Sequence, residues 1–214
     1  MTDAVRDQEH IEIIIFSKPS IPDRTDYILG RNTESPVEPM IETGKDLVRL
    51  GVDYLAMPCV TAHYFHNQLT GGIGRPILHI IRETAGLLQE HGISKAGIMA
   101  TDGTIHSGMF QKELLSHGIT PLVPSEECQA YVTDLIYKDI KSNRPAQMDK
   151  FRAVKEELIE MGAQVIILGC TELSLIKRDY EIGPGFIDAM EVLARCCVTL
   201  CGARLKHEYS ELIT

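Results

Sequence analysis

Two stretches decide the reading of this chain: Leu50-Gly51-Val52-Asp53-Tyr54-Leu55-Ala56-Met57-Pro58-Cys59-Val60-Thr61 and Met161-Gly162-Ala163-Gln164-Val165-Ile166-Ile167-Leu168-Gly169-Cys170-Thr171. Each runs from a helix end through a glycine into a short apolar strand, then to a cysteine and a threonine ahead of the next helix. The repeat predicts both cysteines at the carboxyl ends of parallel strands, the edge where open α/β sheets bind ligands. A thiol ahead of a helix N-terminus lies near free N–H groups and the positive end of the helix dipole, which favours its thiolate. Single cysteines at strand ends are commonly inert core residues. The repeated setting separates Cys59 and Cys170 from Cys128, Cys196, Cys197 and Cys201.

Outward from these stretches the pattern alternates. Strands are expected at Ile11–Phe16 (buried), 53–57, 95–100, 119–123, 165–168 and 185–187. Helices are expected over 40–50, 61–69, 79–91, about 104–117, 126–141, 148–161 and 188 to about 207. Apolar runs of strand length between helices of ten to sixteen residues imply right-handed βαβ units and mainly parallel sheets. The expected fold class is therefore α/β, with two lobes related by the repeat and a cleft between them. The first lobe would hold residues 1–75 and about 184–214, and the second 76–183.

Composition narrows the function. The 214 residues are 44% hydrophobic and 24% charged, ordinary for a globular protein, and the net charge is −9. No basic patch is available to neutralise phosphates, so nucleic acid is not an expected partner. The apolar runs are too short to span a bilayer, so no membrane association is expected. Six cysteines without paired spacing, and no basic-then-apolar leader, point to a reducing cytoplasm. No Walker loop, dinucleotide fingerprint or nucleophile elbow is present.

Other residues carry candidate chemistry. His63, four after Cys59 on one helix face, suits tuning of a thiol, or satisfaction of nearby backbone groups. With His66 it has metal-ligand spacing, but no Cys-x-x-Cys or His-Glu-x-x-His companion supports a metal. Glu172 can orient a neighbour or hold an amino group, or serve as a first-turn acid. Arg24, in a proline-bounded loop, has the planar fork that takes a carboxylate bidentately. Thr101-Asp102-Gly103-Thr104 follows a strand and opens a helix, as a carboxylate cradle or an ordinary N-cap does. Lys141 ends a helix, where a lysine is normally a C-terminal charge.

The pieces Met57-Pro58-Cys59-Val60-Thr61-Ala62-His63 and Gly169-Cys170-Thr171-Glu172-Leu173 resemble the two signature motifs of the aspartate/glutamate racemase family, its aspartate racemase branch in particular. Asp7-Gln8-Glu9-His10, Ile21-Pro22-Asp23-Arg24-Thr25 and Ala100-Thr101-Asp102-Gly103-Thr104-Ile105 are similar too, so the resemblance extends from about Asp7 to about Ala194. It implies two pseudo-symmetric α/β lobes, often a homodimer, and cofactor-independent racemisation of an acidic amino acid, aspartate or glutamate. Cys59 and Cys170 would remove and return the α-proton. Arg24 would bind the side-chain carboxylate, and Thr61 and Thr104 the α-carboxylate. Lys141 would assist, and Val60, His63, Thr171 and Glu172 would complete the substrate site. Two departures stand out. The family opens with a strand and a glycine-rich loop ahead of the Asp7–His10 stretch, so a first lobe without that strand is expected. Where the family reads Cys-Asn-Thr, this chain reads Cys59-Val60-Thr61. A related isomerase or decarboxylase of the same scaffold, and a non-catalytic amino-acid-binding protein, are the alternatives.

Overall fold

The computed structural model describes residues 1–213. Its first third is helical. Helix α1 (Arg24–Ile28) starts where the Asp23 carboxylate accepts the Asp26 amide, and α2 (Val37–Arg49) follows after a loop. Leu55 forms a single parallel bridge with Ile77, and Cys59 leads straight into a 3-10 turn, Val60–Phe65, and then α3 (His66–Ile73). Leu55, Phe65, Leu69 and Ile77 form a small core, covered by Tyr27, Met40, Ile41 and Ile73.

The rest is a three-layer α/β unit. In chain order it runs α4 (Ile80–Glu90), β1 (Lys95–Ala100), α5 (Asp102–Ser107), α6 (Met109–Ser116), β2 (Thr120–Leu122), α7 (Glu126–Thr133), a π-helical stretch Asp134–Ile140, α8 (Met148–Glu160), β3 (Val165–Gly169), α9 (Thr171–Asp179), β4 (Phe186–Asp188) and α10 (Ala189–Leu200). The sheet is parallel throughout, in the order β2-β1-β3-β4. Every residue of β3 is buried, as expected when helices cover both faces of a parallel sheet. Residues of α4, α6 and α10 form the core on one face, and those of α7, α8 and α9 the core on the other.

The sheet order fixes where a ligand belongs. From β1 the chain moves outward to β2, and from β3 it moves the other way to β4. The topological switch point therefore lies between β1 and β3, and the crevice at their carboxyl ends is the binding position. Ala100 pairs with Gly169, so Thr101 and Cys170, the next residues, leave the two central strands at the same level.

The parallel α/β architecture is the one expected, and β1 has the expected bounds. Three expectations are corrected. Ile11–Phe16 forms no strand. Residues 11–17 make no backbone hydrogen bond, and Ile13 and Ile15 are 68% and 85% exposed. Apolar β-branched sequence becomes a strand only beside another strand, and residues 1–75 offer no ladder for it. Likewise 53–57 is reduced to the Leu55–Ile77 bridge. The sequence-based division also gives 184–214 to the first lobe, whereas β4 pairs with β3 and α10 packs on α4, within the second.

Candidate active site

A cleft of about 210 Å³ opens at the predicted crevice, lined by residues from both parts of the chain. The first third contributes Asp23, Arg24, Thr25, Cys59, Val60 and Thr61; the α/β unit contributes Thr101, Tyr137, Lys141, Cys170, Thr171 and Glu172. The volume falls below the ~300 Å³ at which drug-sized ligands are held, and suits a molecule of amino-acid size. Close approach across the cleft depends on Gly103 at the start of α5. A Cβ there would meet the Thr25 Cα at 2.9 Å, so only glycine lets the Asp23-Arg24-Thr25 turn sit this near.

The two sulfurs have opposite surroundings. The Cys170 thiol donates to Glu172 Oε2 at 2.8 Å, and the Thr171 hydroxyl donates to the same oxygen at 2.9 Å. Glu172 Oε1 lies 3.2 Å from Lys141 Nζ. Burial pushes the Cys170 thiol well above its usual range, and the Glu172 carboxylate beside it pushes further in the same direction. This corrects the expectation that a helix N-terminus favours the thiolate at both cysteines. At Cys170, the N-cap of α9, desolvation and a neighbouring anion outweigh the dipole. For Glu172 itself, burial raises the carboxyl, but the bonds from Cys170 and Thr171 and the charge of Lys141 outweigh it and hold it below the ordinary range. Lys141 is likewise pulled down by burial and up by Glu172, with a net rise. Cys59, in contrast, accepts: Arg24 Nη2 points at its sulfur from 3.9 Å, while Nη1 is held by the carbonyls of Ile21 and Pro22 at 3.3 and 3.1 Å.

Three threonine hydroxyls form a ring at the floor of the cleft, two lining it and one behind. Thr61 Oγ1 lies 2.9 Å from Thr101 Oγ1 and 3.0 Å from Thr104 Oγ1, and Thr101 and Thr104 are 3.0 Å apart. The Thr104 amide also donates to Thr101 Oγ1 at 3.2 Å, so Thr101 is the N-cap of α5 as well. A buried ring of three hydroxyls satisfies its own members and joins the segment after Cys59 to the segment after β1.

Of the residues singled out in the sequence, Arg24, Cys59, Val60, Thr61, Lys141, Cys170, Thr171 and Glu172 meet at this cleft. Thr104 and His63 do not line it. Thr104 stands behind Thr101, and the His63 ring is turned to backbone, with Nδ1 3.1 Å from the Cys59 carbonyl and Nε2 3.2 Å from that of Leu78. Val60 is buried in the core that includes Ile80 and Ile81. Asp23, Thr25 and Tyr137 were missed as site residues. The signal for Tyr137 lay in Ile136-Tyr137-Lys138-Asp139-Ile140-Lys141, where Tyr137 and Lys141 are four apart and share a helix face. The π-helical stretch that carries Tyr137 is a local distortion common at functional sites, and the Lys141 amide bonds back five residues to Ile136. Among the described residues no group of three or more His, Cys, Asp or Glu side chains is arranged to hold a metal ion, and no helix is long and apolar enough to cross a membrane.

Comparison with known proteins agrees with this geometry. The model of the Asp/Glu/hydantoin racemase family matches residues 1–197. The broad specificity amino-acid racemase of Bacillus subtilis strain 168 is 29% identical over 160 residues, covering 75% of this chain and 70% of that protein. The structure of Picrophilus torridus aspartate racemase superposes with a TM-score of 0.82 at 30% identity, over 98% of this chain and 88% of that one. An aspartate racemase homologue from Pyrococcus horikoshii OT3 shares the fold, with a TM-score of 0.72 at 22% identity over 89% and 84% of the two chains. With a paired-thiol cleft at the switch point of its sheet and a family match over nearly its whole length, the chain belongs to the Asp/Glu/hydantoin racemase family.

Proposed function

We propose that this protein racemises an acidic amino acid, aspartate before glutamate, without a cofactor, by passing protons between Cys59 and Cys170. The observation that carries the reading is the opposite hydrogen-bonding polarity of two sulfurs lining one cleft: Cys59 is placed as an acceptor and Cys170 as a donor. The Cys59 sulfur takes the α-proton from one face. The C–H electron pair moves into an enediolate-like intermediate. That pair then takes the Cys170 S–H proton on the opposite face, leaving Cys170 as thiolate, and the reverse sequence converts the other enantiomer.

The α-proton of an amino acid is a very weak acid, so stabilisation of the developing charge sets the rate. Thr61 and Thr101 are the ring members that line the cleft, and a hydroxyl turned out of the ring donates to the α-carboxylate. Arg24 lines the cleft with Nη2 turned into it, available for a side-chain carboxylate, while Nη1 is anchored on the Ile21 and Pro22 carbonyls. A small cleft leaves little room for water beside a bound amino acid, which strengthens each of these contacts.

A wider substrate range is the second reading. It is favoured by Val60, an apolar residue beside Cys59 at the cleft, and by the broad specificity named for the Bacillus subtilis relative. The test is to incubate the protein with L-aspartate, L-glutamate and a panel of neutral and basic amino acids, following optical rotation. The proposal predicts loss of rotation with the acidic pair, and in Arg24→Ala a fall for acidic substrates at least ten times larger than for any neutral one. No turnover of any amino acid overturns it. Equal loss for acidic and neutral substrates overturns the role of Arg24.

A further inference from the structure

Beyond the two thiols, the contacts of the Cys170 half of the cleft single out a residue pair. Glu172 stands in the first turn of α9 with both oxygens engaged only by donors: the Cys170 thiol and the Thr171 hydroxyl on Oε2, and the Lys141 ammonium on Oε1. Lys141 lies over the Tyr137 ring, 5.3 Å from its centroid. Its approach to the cleft is therefore fixed by an aromatic face and a carboxylate together. Cys59 has no such carboxylate; its side-chain partner is the Arg24 guanidinium.

We propose that Glu172, braced by Lys141, is a positioning residue that holds Cys170 in its protonated, proton-donating form between turnovers, so that the two thiols begin each cycle unequal. The inference rests on the racemase reading for its catalytic meaning, but the pairing can be measured without turnover. With Glu172 ionised, a Cys170 thiolate would place two anions at hydrogen-bond distance in a buried site, which Coulomb repulsion disfavours. A protonated Cys170 instead gives Glu172 its third donor. Each conversion that starts at Cys59 ends with the thiolate on Cys170, the arrangement that Glu172 opposes. The site is thereby driven back to its starting state, by conversion of the opposite enantiomer or by proton exchange with water. Racemisation has an equilibrium constant of one, so kcat/KM is equal in the two directions whatever Glu172 does. The bias instead falls on kcat and KM separately.

The experiment is a pH titration of the native chain labelled with 13C at the cysteine Cβ, whose chemical shift reports thiolate formation directly. Cys59→Ser and Cys170→Ser samples assign the two signals. The proposal predicts that Cys59 ionises at lower pH than Cys170. Glu172→Gln should lower the Cys170 transition by at least one pH unit and leave Cys59 within a few tenths. Lys141→Gln, which leaves Glu172 uncompensated, should move Cys170 the opposite way. Cys170 ionising at or below Cys59 in the native chain, or staying put in Glu172→Gln, overturns the proposal. If Glu172→Gln does not fold, Lys141→Gln decides: an upward shift supports it, and no shift or a downward one overturns it. A protein with the predicted titrations and no amino-acid turnover would overturn the racemase reading while leaving this pairing intact.

Discussion

The His63 ring braces the backbone of Cys59: Nδ1 lies 3.1 Å from the Cys59 carbonyl oxygen, while Nε2 faces the Ile80 amide at 3.4 Å. A hydrogen on Nδ1 donates to Cys59 and leaves Nε2 to accept from Ile80, whereas a hydrogen on Nε2 donates to the Leu78 carbonyl at 3.2 Å; either form ties the ring to buried backbone. Replacing His63 with Ala strips partners from buried backbone and opens a gap, a loss of about 2–4 kcal/mol. For a chain of this size that is a fall of about 4–16 °C in melting temperature. Thermal denaturation followed by circular dichroism checks it, and a change under 2 °C would remove the bracing role. kcat should fall with it, since the thiol is carried on the braced backbone.

The same ring predicts how stability depends on pH. Burial lowers His63 to about 4, below its ordinary 6.5, and burial with the neighbouring His63 and His66 lowers His79 to about 4 as well. The unfolded chain then binds protons that the folded chain refuses. Stability from these groups is complete above about pH 6.5 and is lost as pH falls toward 4, by about 3 kcal/mol for His63. Melting temperature measured from pH 7 to pH 4 should fall steadily, with a shallower slope in His63→Ala. Parallel slopes in the two proteins would contradict the assignment.

The threonine ring separates binding from scaffolding. Thr61 and Thr101 line the cleft and Thr104 does not. Thr61→Val should raise KM for aspartate at least tenfold. Thr104→Val removes a hydroxyl from the buried ring, destabilises by about 1–2 kcal/mol, and should leave KM within about threefold. Steady-state kinetics on the two variants decide this; a KM effect of Thr104→Val as large as that of Thr61→Val would mean that Thr104 contacts substrate directly.

Ile13 and Ile15 test the fold itself. Both side chains project into solvent, so Ile13→Lys and Ile15→Lys should each change stability by no more than about 0.5 kcal/mol. A melting temperature lowered by 8 °C or more in either variant would mean that the segment is buried as a strand.

How far the sequence carried the account depends on what each part needs from elsewhere in the chain. β1, β3 and the cysteines after them could be read locally, because a central parallel strand is a continuous apolar run that ends where the loop begins. Ile11–Phe16 has the same local signature and fails, because pairing is supplied by a neighbour and no period in the sequence reveals whether one is there. The motif resemblance gathered eight of the ten proposed site residues at the cleft. Thr104 and His63 stand one layer behind the lining, where no local pattern separates them from residues at the surface of the cleft. Tyr137 shows in the sequence only through its four-residue spacing from Lys141, a signal that counts once Lys141 is known to reach the cleft. The donor role of Cys170 was also out of reach, because it follows from burial and from the rotamer of Glu172.

The most direct measurement of the two-thiol claim is conversion of L-aspartate in heavy water, stopped at a few per cent turnover, with the α-position of each enantiomer read by mass spectrometry. Two opposed thiols, the product-side one already exchanged with solvent, predict D-aspartate fully deuterated at the α-carbon and remaining L-aspartate still carrying protium, with Cys59→Ala and Cys170→Ala both inactive. D-aspartate that keeps its original proton, or racemisation surviving in either variant, would contradict the account.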